Sequence, residues 1–287
     1  MTPAPNPQTN AWRTYHDARA GVWIDSFDGR WLVQTRDSVF PNFIKTLNQG
    51  LASSVYWKAR DKSASTTPKY IFGRKVSDRF LVRENGATFS IDFSAGYSSG
   101  IFLDQRLNRR MVGNSVQQGQ RFLNTFAYTG AFSVMAAKAG AETTTLDLSK
   151  NYLNWTWENF RANGLDPKDH FGCKGDTFEW LKKFAKQGRT FHGIVLDPPT
   201  FSRMGKKTFS TDRDYASLVK LAAAVTEPGG WILCCANTQG MNHRQFEAQI
   251  QQGIKSARRQ VIGVKKLEMP PEFNEDDYLK SLRVDVG

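Results

Sequence analysis

The sequence predicts an α/β protein: a small mixed α+β region, then an open and mostly parallel sheet with helices on both faces. Three observations predict it. Up to about residue 93, short apolar runs alternate with polar ones and are split by Asp28-Gly29 and Asn85-Gly86, the residue pairs that favour tight hairpin turns. From about residue 122 the rhythm changes to short apolar run, amphipathic stretch, short apolar run, as parallel strands joined by crossover helices require. Gly164 and Gly229-Gly230 fall where such helices must stop.

In chain order, Val22–Asp25 and Trp31–Gln34 read as the first hairpin. A helix is expected over 38–51, with Phe40, Phe43, Ile44, Leu47 and Leu51 at helical spacing. Val55–Lys58 reads as a strand, and 79–83 with 87–93 as a second hairpin. Beyond residue 122, strands are expected at 122–128, 143–148, 171–175, 191–197, 231–237, 261–267 and 279–286. Helices are expected at 131–139, 149–162, 177–187, 212–226 and 243–257. The expected domains are a disordered tail over 1–10, a small α+β domain over 11–98 and the main α/β domain over 99–287.

Composition narrows the class. Forty per cent hydrophobic residues in 287 can fill a core, and a formal net charge of +12 points to a polyanionic partner, most simply nucleic acid. Three cysteines, Cys173, Cys234 and Cys235, form neither a disulfide framework nor a metal-spaced cluster, so no metal site is expected and a reducing cytoplasm fits. The polar, proline-rich first ten residues lack the apolar segment of a signal peptide, and no apolar run approaches membrane-spanning length.

Ligands of open parallel sheets bind outside the carboxyl ends of the strands. Three strand ends carry suitable groups. The run Asn124-Thr125-Phe126-Ala127-Tyr128-Thr129-Gly130 turns from strand to helix, and Gly130 allows close backbone approach. It contains no G-x-G-x-x-G cradle for a dinucleotide pyrophosphate, which argues against a dehydrogenase. Asp147, followed by Leu148 and Ser149, either accepts hydrogen bonds from ribose hydroxyls or caps the next helix. Asp176 either meets an adenine amino group or caps the helix opening at Thr177. A nucleoside cofactor without phosphates fits this set, and S-adenosylmethionine, whose sulfonium suits several nearby carboxylates, is that cofactor. Upstream, Asp104, Gln105 and Arg106 either cover the cofactor from the side or form an interdomain salt-bridge segment.

The run Asp197-Pro198-Pro199-Thr200-Phe201 ends the expected strand 191–197. Two prolines fix φ, remove two donors, stiffen the turn and leave its carbonyls pointing outward. Phe201 offers a stacking face, while Asp197 or a turn carbonyl accepts from a ring amino group. This pattern indicates chemistry on a nucleobase.

Together these stretches resemble the large-subunit ribosomal RNA methyltransferases of the RlmI/RlmK type. The matching segments are Gly100–Arg106, Leu123–Gly130, Thr144–Ser149 with Tyr152-Leu153, Gly175-Asp176, Leu196–Ser202 and Tyr278–Leu282, over a span from about Trp12 to the C-terminus. The resemblance implies a class I methyltransferase domain with a Rossmann-like seven-stranded sheet, preceded by a small domain that helps to hold RNA. It implies that Phe126, Gly130, Asp147 and Asp176 contact the cofactor and that Asp197 to Phe201 form the target-base platform. The chain is expected to have no room for the additional RNA-binding domain of the RlmI type, and to lack the second methyltransferase domain fused to some RlmK-type proteins. Enzymes of the 5-methylcytosine branch resemble one another in a cysteine seven positions after the Gly-Gly pair; here Asn237 stands there, as in the RlmK-like, 7-methylguanine branch. A cytosine-C5 enzyme needs a thiolate to add to the ring, whereas a guanine nitrogen needs only alignment and a dry pocket. Cys234 and Cys235 are expected as small core residues. The alternatives are a 5-methylcytosine enzyme and a small-molecule methyltransferase on the same fold.

Candidate RNA-contacting residues are Arg60, with neighbours Lys58 and Lys62, then Arg109, Arg110, Arg203, Lys206 and Lys207, with Arg258-Arg259 a further basic pair. The segment 203–213 reads as a flexible basic loop able to close over a flipped nucleotide.

Overall fold

The computed structural model describes residues 1–287 apart from 49, 61–66, 77, 97, 205, 206, 239 and 274–277, and describes 202–204, 207 and 208 by their backbone. The chain forms two compact units, Met1–Arg106 with Pro270–Glu275, and Leu107–Met269 with Asp276–Gly287.

The first unit contains β1 (Ala11–Asp17), β2 (Val22–Phe27), β3 (Arg30–Thr35), α1 (Phe43–Asn48), β4 (Ser54–Ala59) and β5 (Lys69–Gly73). Its sheet runs β1-β2-β3-β4-β5, antiparallel except for the β3-β4 pair that α1 connects. A separate hairpin joins β6 (Phe80–Glu84) to β7 (Ala87–Ile91). Asp28 and Gly29 have φ of 53° and 72°, and Asn85 and Gly86 51° and 74°, so both turns are of the primed kind that matches strand twist. The helix expected over 38–51 is only α1. The residue before Pro41 is biased away from helical backbone, and Gly50, at φ 84°, ends the segment. Ile44 is buried from α1 among Val22, Ile24, Trp31, Val33 and Val55, while Phe43 and Leu51 stay exposed. Part of the segment expected as a tail is tied to this unit. The Thr2 amide donates to the Thr14 carbonyl at 2.7 Å, and Thr9 is buried.

The second unit opens with α2 (Arg106–Ser115) and continues β8 (Arg121–Thr125), α3 (Ala131–Lys138), β9 (Glu142–Asp147), α4 (Lys150–Ala162), β10 (Phe171–Lys174), α5 (Thr177–Lys186) and β11 (Phe191–Leu196). After a small hairpin of β12 (Phe201–Met204) and β13 (Lys207–Ser210) come α6 (Thr211–Ala223), β14 (Thr226–Asn237), α7 (His243–Ser256), β15 (Val261–Leu267) and β16 (Leu279–Val286). The seven-stranded sheet has the order β10-β9-β8-β11-β14-β16-β15. All its strands are parallel except β16, which runs against both neighbours. Strand order reverses between β8 and β11, and ligands of doubly wound sheets bind at that switch point. The buried cluster of Leu123, Leu146, Ile194, Leu196 and Ile232 with Phe178, Leu181, Tyr215, Leu218 and Phe246 fixes α5, α6 and α7 against the sheet. Among the described residues no helix is long and apolar enough to cross a membrane.

Candidate active site at the carboxyl ends of the strands

β8 passes to α3 through a sharply folded loop. Phe126 and Tyr128 both have φ of 51°, and Gly130 has 74°. Left-handed backbone in non-glycine residues carries roughly 1–2 kcal/mol of strain each. Neighbouring groups hold it. The Ala127 amide donates to the Leu146 carbonyl at 3.0 Å, the Tyr128 amide to Asp147 Oδ2 at 2.8 Å, and the Gly130 amide to the Ala127 carbonyl at 2.8 Å. The Tyr128 ring meets Tyr152 edge-on with centroids 4.7 Å apart. Gly130 also allows close packing, since a Cβ there would run into the Thr156 side chain.

Asp147 ends β9 and braces this loop. Its Oδ1 accepts from the Ser149 amide at 2.8 Å, complementing the Tyr128 bond on Oδ2. Capping of α4 falls to Ser149, whose hydroxyl accepts from the Tyr152 amide at 3.3 Å. Burial pushes the Asp147 carboxyl above its ordinary range, opposed by the two backbone hydrogen bonds. Next to it, Leu148 is 52% exposed, an apolar side chain left in solvent at a strand end. Asp176 follows β10 and caps α5, its Oδ1 accepting from Phe178 at 2.9 Å and Glu179 at 3.1 Å. Gly175, at φ 145°, donates its amide to the Asp147 carbonyl at 3.0 Å, which ties the two strand ends together. Thr177 is buried at the first position of α5.

The corner after β11 holds a half-buried Asp197, a buried Pro198 and an exposed Pro199. Phe201 is 65% exposed and opens β12, opposite Ser210. The outward carbonyls expected of the corner are only partly found. Thr211 ties down two of them, its amide donating to the Thr200 carbonyl at 3.1 Å and its hydroxyl to the Pro199 carbonyl at 3.2 Å. The Thr200 hydroxyl donates to the Asn237 carbonyl at 2.6 Å, linking the corner to the end of β14. Beneath, the buried Tyr215 hydroxyl lies within hydrogen-bond distance of the Leu196 and Cys235 carbonyls, at 3.1 and 3.0 Å. Thr211 and Tyr215 were not legible as site-supporting residues. In the sequence Tyr215 is one more apolar position on α6, spaced with Leu218 and Val219.

Other expected site residues have partners within the fold. Asn124 is 1% exposed, and its Nδ2 donates to Ser133 Oγ at 3.0 Å, which braces the start of α3 from within the fold. Thr129 is buried, with its carbonyl accepting from Asn159 Nδ2 at 2.9 Å. Asp104, Gln105 and Arg106 belong to the first compact unit. There Arg106 makes a buried two-pronged pair with Glu272, at 2.5 and 3.0 Å, so its guanidinium is held by an ion pair.

The basic candidates divide as well. Arg109 is 2% exposed, which removes it from any RNA-facing surface, whereas Arg110 is exposed. Arg60 is exposed, sits 4.2 Å over the Trp23 ring and donates to Gln34 Oε1 at 3.3 Å. Arg259 is committed to the carbonyls of Gly287, Ala223 and Thr226, at 2.6, 3.0 and 2.8 Å. Lys62 and Lys206 lie outside the described residues, as do the side chains of Arg203 and Lys207. The described residues of 203–213 are not a long loop: Arg203 and Met204 end β12, Lys207–Ser210 form β13 and residues 211–213 open α6.

Both cysteines of β14 are fully buried. Burial raises the Cys234 thiol to about 12, with the Tyr215 hydrogen bond acting in the opposite sense. Cys235 lies on Asn108 and Ser281, with Sγ 3.8 Å from Asn108 Nδ2 and 3.7 Å from Ser281 Oγ. Cys234 is therefore not a thiolate at neutral pH.

This sheet order, with one reversed strand and acidic residues at three strand ends, is that of the class I methyltransferases. A family model described as S-adenosylmethionine-dependent methyltransferase matches residues 44–285, and the chain belongs to that family. It is 33% identical over 95% of its length to YwbD of Bacillus subtilis, provisionally named a ribosomal RNA large subunit methyltransferase, and covers 74% of that protein. It is 37% identical over 69% of its length to ribosomal RNA large subunit methyltransferase K of Neisseria meningitidis, of which it covers 54%. It spans only 23% of the K/L protein of Methylococcus capsulatus. Among solved structures, SMU.776, provisionally described as a methyltransferase and complexed with SAH, superposes with a TM-score of 0.83 at 28% identity, over 98% of this chain and 76% of that one.

The protein is thus an S-adenosylmethionine-dependent methyltransferase, and its residues fit that cofactor. Asp147 and Asp176 offer carboxylate acceptors for hydroxyl and amino groups, exposed Leu148 offers an apolar surface for a purine ring, and the carboxylates offset a sulfonium charge.

Proposed function

We propose that the protein methylates a nucleobase of large-subunit ribosomal RNA, with guanine N7 as the acceptor atom. The observation that carries this reading is the corner after β11, where an exposed aromatic, Phe201, follows the half-buried Asp197 across two prolines. The names of the relatives and the charge of +12 support an RNA substrate.

In this proposal Asp147 accepts from the ribose hydroxyls of S-adenosylmethionine, Leu148 packs on its adenine and Asp176 accepts from the adenine amino group. Phe126, Tyr128 and Gly130 shape the backbone that receives it. When bound, the cofactor supplies a methyl group made electrophilic by the sulfonium. Phe201 stacks on the flipped base, a contact worth roughly 1–3 kcal/mol. The Asp197 carboxylate accepts from the guanine Watson–Crick edge, which carries both an imino and an amino donor. That orientation leaves N7, a lone-pair acceptor on the other edge, for the methyl group. N7 would take the methyl group on its lone pair, and no proton would have to leave. No side chain need act as a base, and alignment with exclusion of water supplies the rate. The raised Cys234 thiol opposes a cytosine-C5 route, which would need a thiolate.

The test incubates purified protein with large-subunit ribosomal RNA and methyl-labelled S-adenosylmethionine, then maps the product by mass spectrometry. One 7-methylguanine is expected. Label recovered as 5-methylcytosine, or no transfer to any RNA, overturns the proposal.

A further inference from the structure

Away from these carboxylates, the second unit has a cleft of about 410 Å³ between α2 and the outer strands β15 and β16. Arg110, Lys265, Lys266 and Arg283 line it against one carboxylate, Glu268, with Asn114 among its polar groups. Arg283 is compensated, pairing with Asp285 at 3.0 Å and donating to Ser115 Oγ at 2.7 Å. Arg110, Lys265 and Lys266 are exposed and make no ion pair among the described residues. Gathering like charges into one concave surface is unfavourable unless a polyanion occupies it.

The cleft's place in the sheet says which polyanion. β15 runs parallel to β14, so Lys265–Leu267 is its carboxyl end. The cleft therefore opens at the edge of the sheet where Asp147 and Asp197 end their strands. Along the order β11-β14-β16-β15 it lies three strand spacings from Asp197, about 14 Å at ~4.8 Å per spacing. A nucleic-acid strand rising ~3.4 Å per nucleotide crosses that offset in about four steps.

We propose that this cleft binds the phosphodiester backbone of the RNA substrate a few nucleotides from the methylated base. The inference rests on the RNA reading of the function. Arg110 and Lys265 are the phosphate contacts, and Asn114 is a neutral hydrogen-bond donor beside them; Lys266 pairs with Leu282 in the strand register and so belongs to the opposite face of β15. Such contacts fix register and affinity and leave base choice to the corner at Asp197.

The test is the double variant Arg110→Gln, Lys265→Gln. Binding to large-subunit ribosomal RNA is measured from 50 to 200 mM salt, with S-adenosylmethionine affinity as the control for folding. Losing two phosphate contacts should lower the log–log salt slope by about 1.5–2 and weaken RNA binding about 3- to 30-fold at 150 mM salt. Cofactor affinity should stay at the wild-type value. Wild-type RNA affinity and slope in the variant overturn the cleft assignment alone. Failure of the wild-type protein to bind RNA overturns the RNA reading and the cleft with it. If the variant keeps RNA binding but loses retention on poly-glutamate, the cleft is an acidic-protein site and the proposal is wrong.

Discussion

Replacing Asp147 by asparagine keeps the shape of the side chain and removes its charge. In the structure both oxygens are used, Oδ2 for the Tyr128 amide and Oδ1 for the Ser149 amide, each at 2.8 Å. An asparagine can accept only one of these bonds and turns an NH₂ donor toward the other amide. Losing one charge-assisted bond and orphaning its partner removes roughly 2–4 kcal/mol of local stabilisation. The segment released is the strained one, with Phe126 and Tyr128 both at φ 51°. The cofactor loses twice, through the relaxed loop and through the carboxylate offered to its ribose. A combined loss of about 2–3 kcal/mol in binding is about 30- to 150-fold in affinity. Calorimetric titration with S-adenosylmethionine checks it, with circular dichroism confirming the fold. A dissociation constant within about threefold of wild type would refute the reasoning and detach Asp147 from the cofactor. There is also a pH signature. Burial raises this carboxyl above its ordinary range, so the folded state holds its proton more tightly than the unfolded chain does. The group's contribution to stability is therefore fully present below the unfolded value and is lost as pH rises through the raised one. Cofactor binding needs the ionised form, so affinity should fall as pH is lowered into that window. In Asp147→Asn this dependence should vanish.

Other perturbations separate the remaining roles. Gly130→Ala and Gly119→Ala both place a Cβ at positive φ, 74° and 78°, but only the first meets a side chain, Thr156. Thermal melting should show Gly119→Ala losing about 1 kcal/mol and Gly130→Ala at least twice that; equal losses would deny the close packing of α3 on α4. Phe201→Ala should lower kcat/KM for RNA about 10- to 100-fold while cofactor affinity holds, and a matched loss in cofactor affinity would remove the stacking role. Cys234→Ser should remain active and wild-type protein should form no adduct with 5-fluorocytidine RNA, since a thiol near 12 is about one part in 10⁵ thiolate at pH 7; a trapped adduct would restore the cytosine reading. Glu272→Gln leaves Arg106 buried without its counter-charge and should lower stability by roughly 3–5 kcal/mol, and an unchanged melting temperature would show the pair to be dispensable.

Most of the second unit was legible because its signals are local and agree, although α2 was not expected. Most of the strands are short runs rich in apolar residues, most helices have an apolar stripe, and glycines follow several helix ends. The loops where a helix was expected to begin did begin one, because Ser149 and Asp176 carry caps that need no distant partner. Failures occur where one residue decides against its neighbours. The stripe over 38–51 was helical in period, but Pro41 and Gly50 confine α1 to Phe43–Asn48. The hairpin β12–β13 has no alternating apolar pattern to announce it, since its residues are mostly polar and basic.

The same distinction explains which site residues could be read. Asp147 and Phe201 stand out because an acid at a strand end and an aromatic after two prolines have few reasons to be there. Arg106, Arg109 and Arg110 share one type and one short stretch, and the sequence offers nothing to tell them apart. The fold separates them by helix geometry: neighbouring positions on α2 point in different directions. Arg106 and Arg109, three apart, are both buried, while Arg110 is left in water. A basic run thus predicts the sign of the surface potential without predicting which residue creates it. Lys265 and Arg283 were invisible for the converse reason. They are unremarked charges on the last strands, and only the pairing of β15 with β16 beside α2 brings them to Arg110.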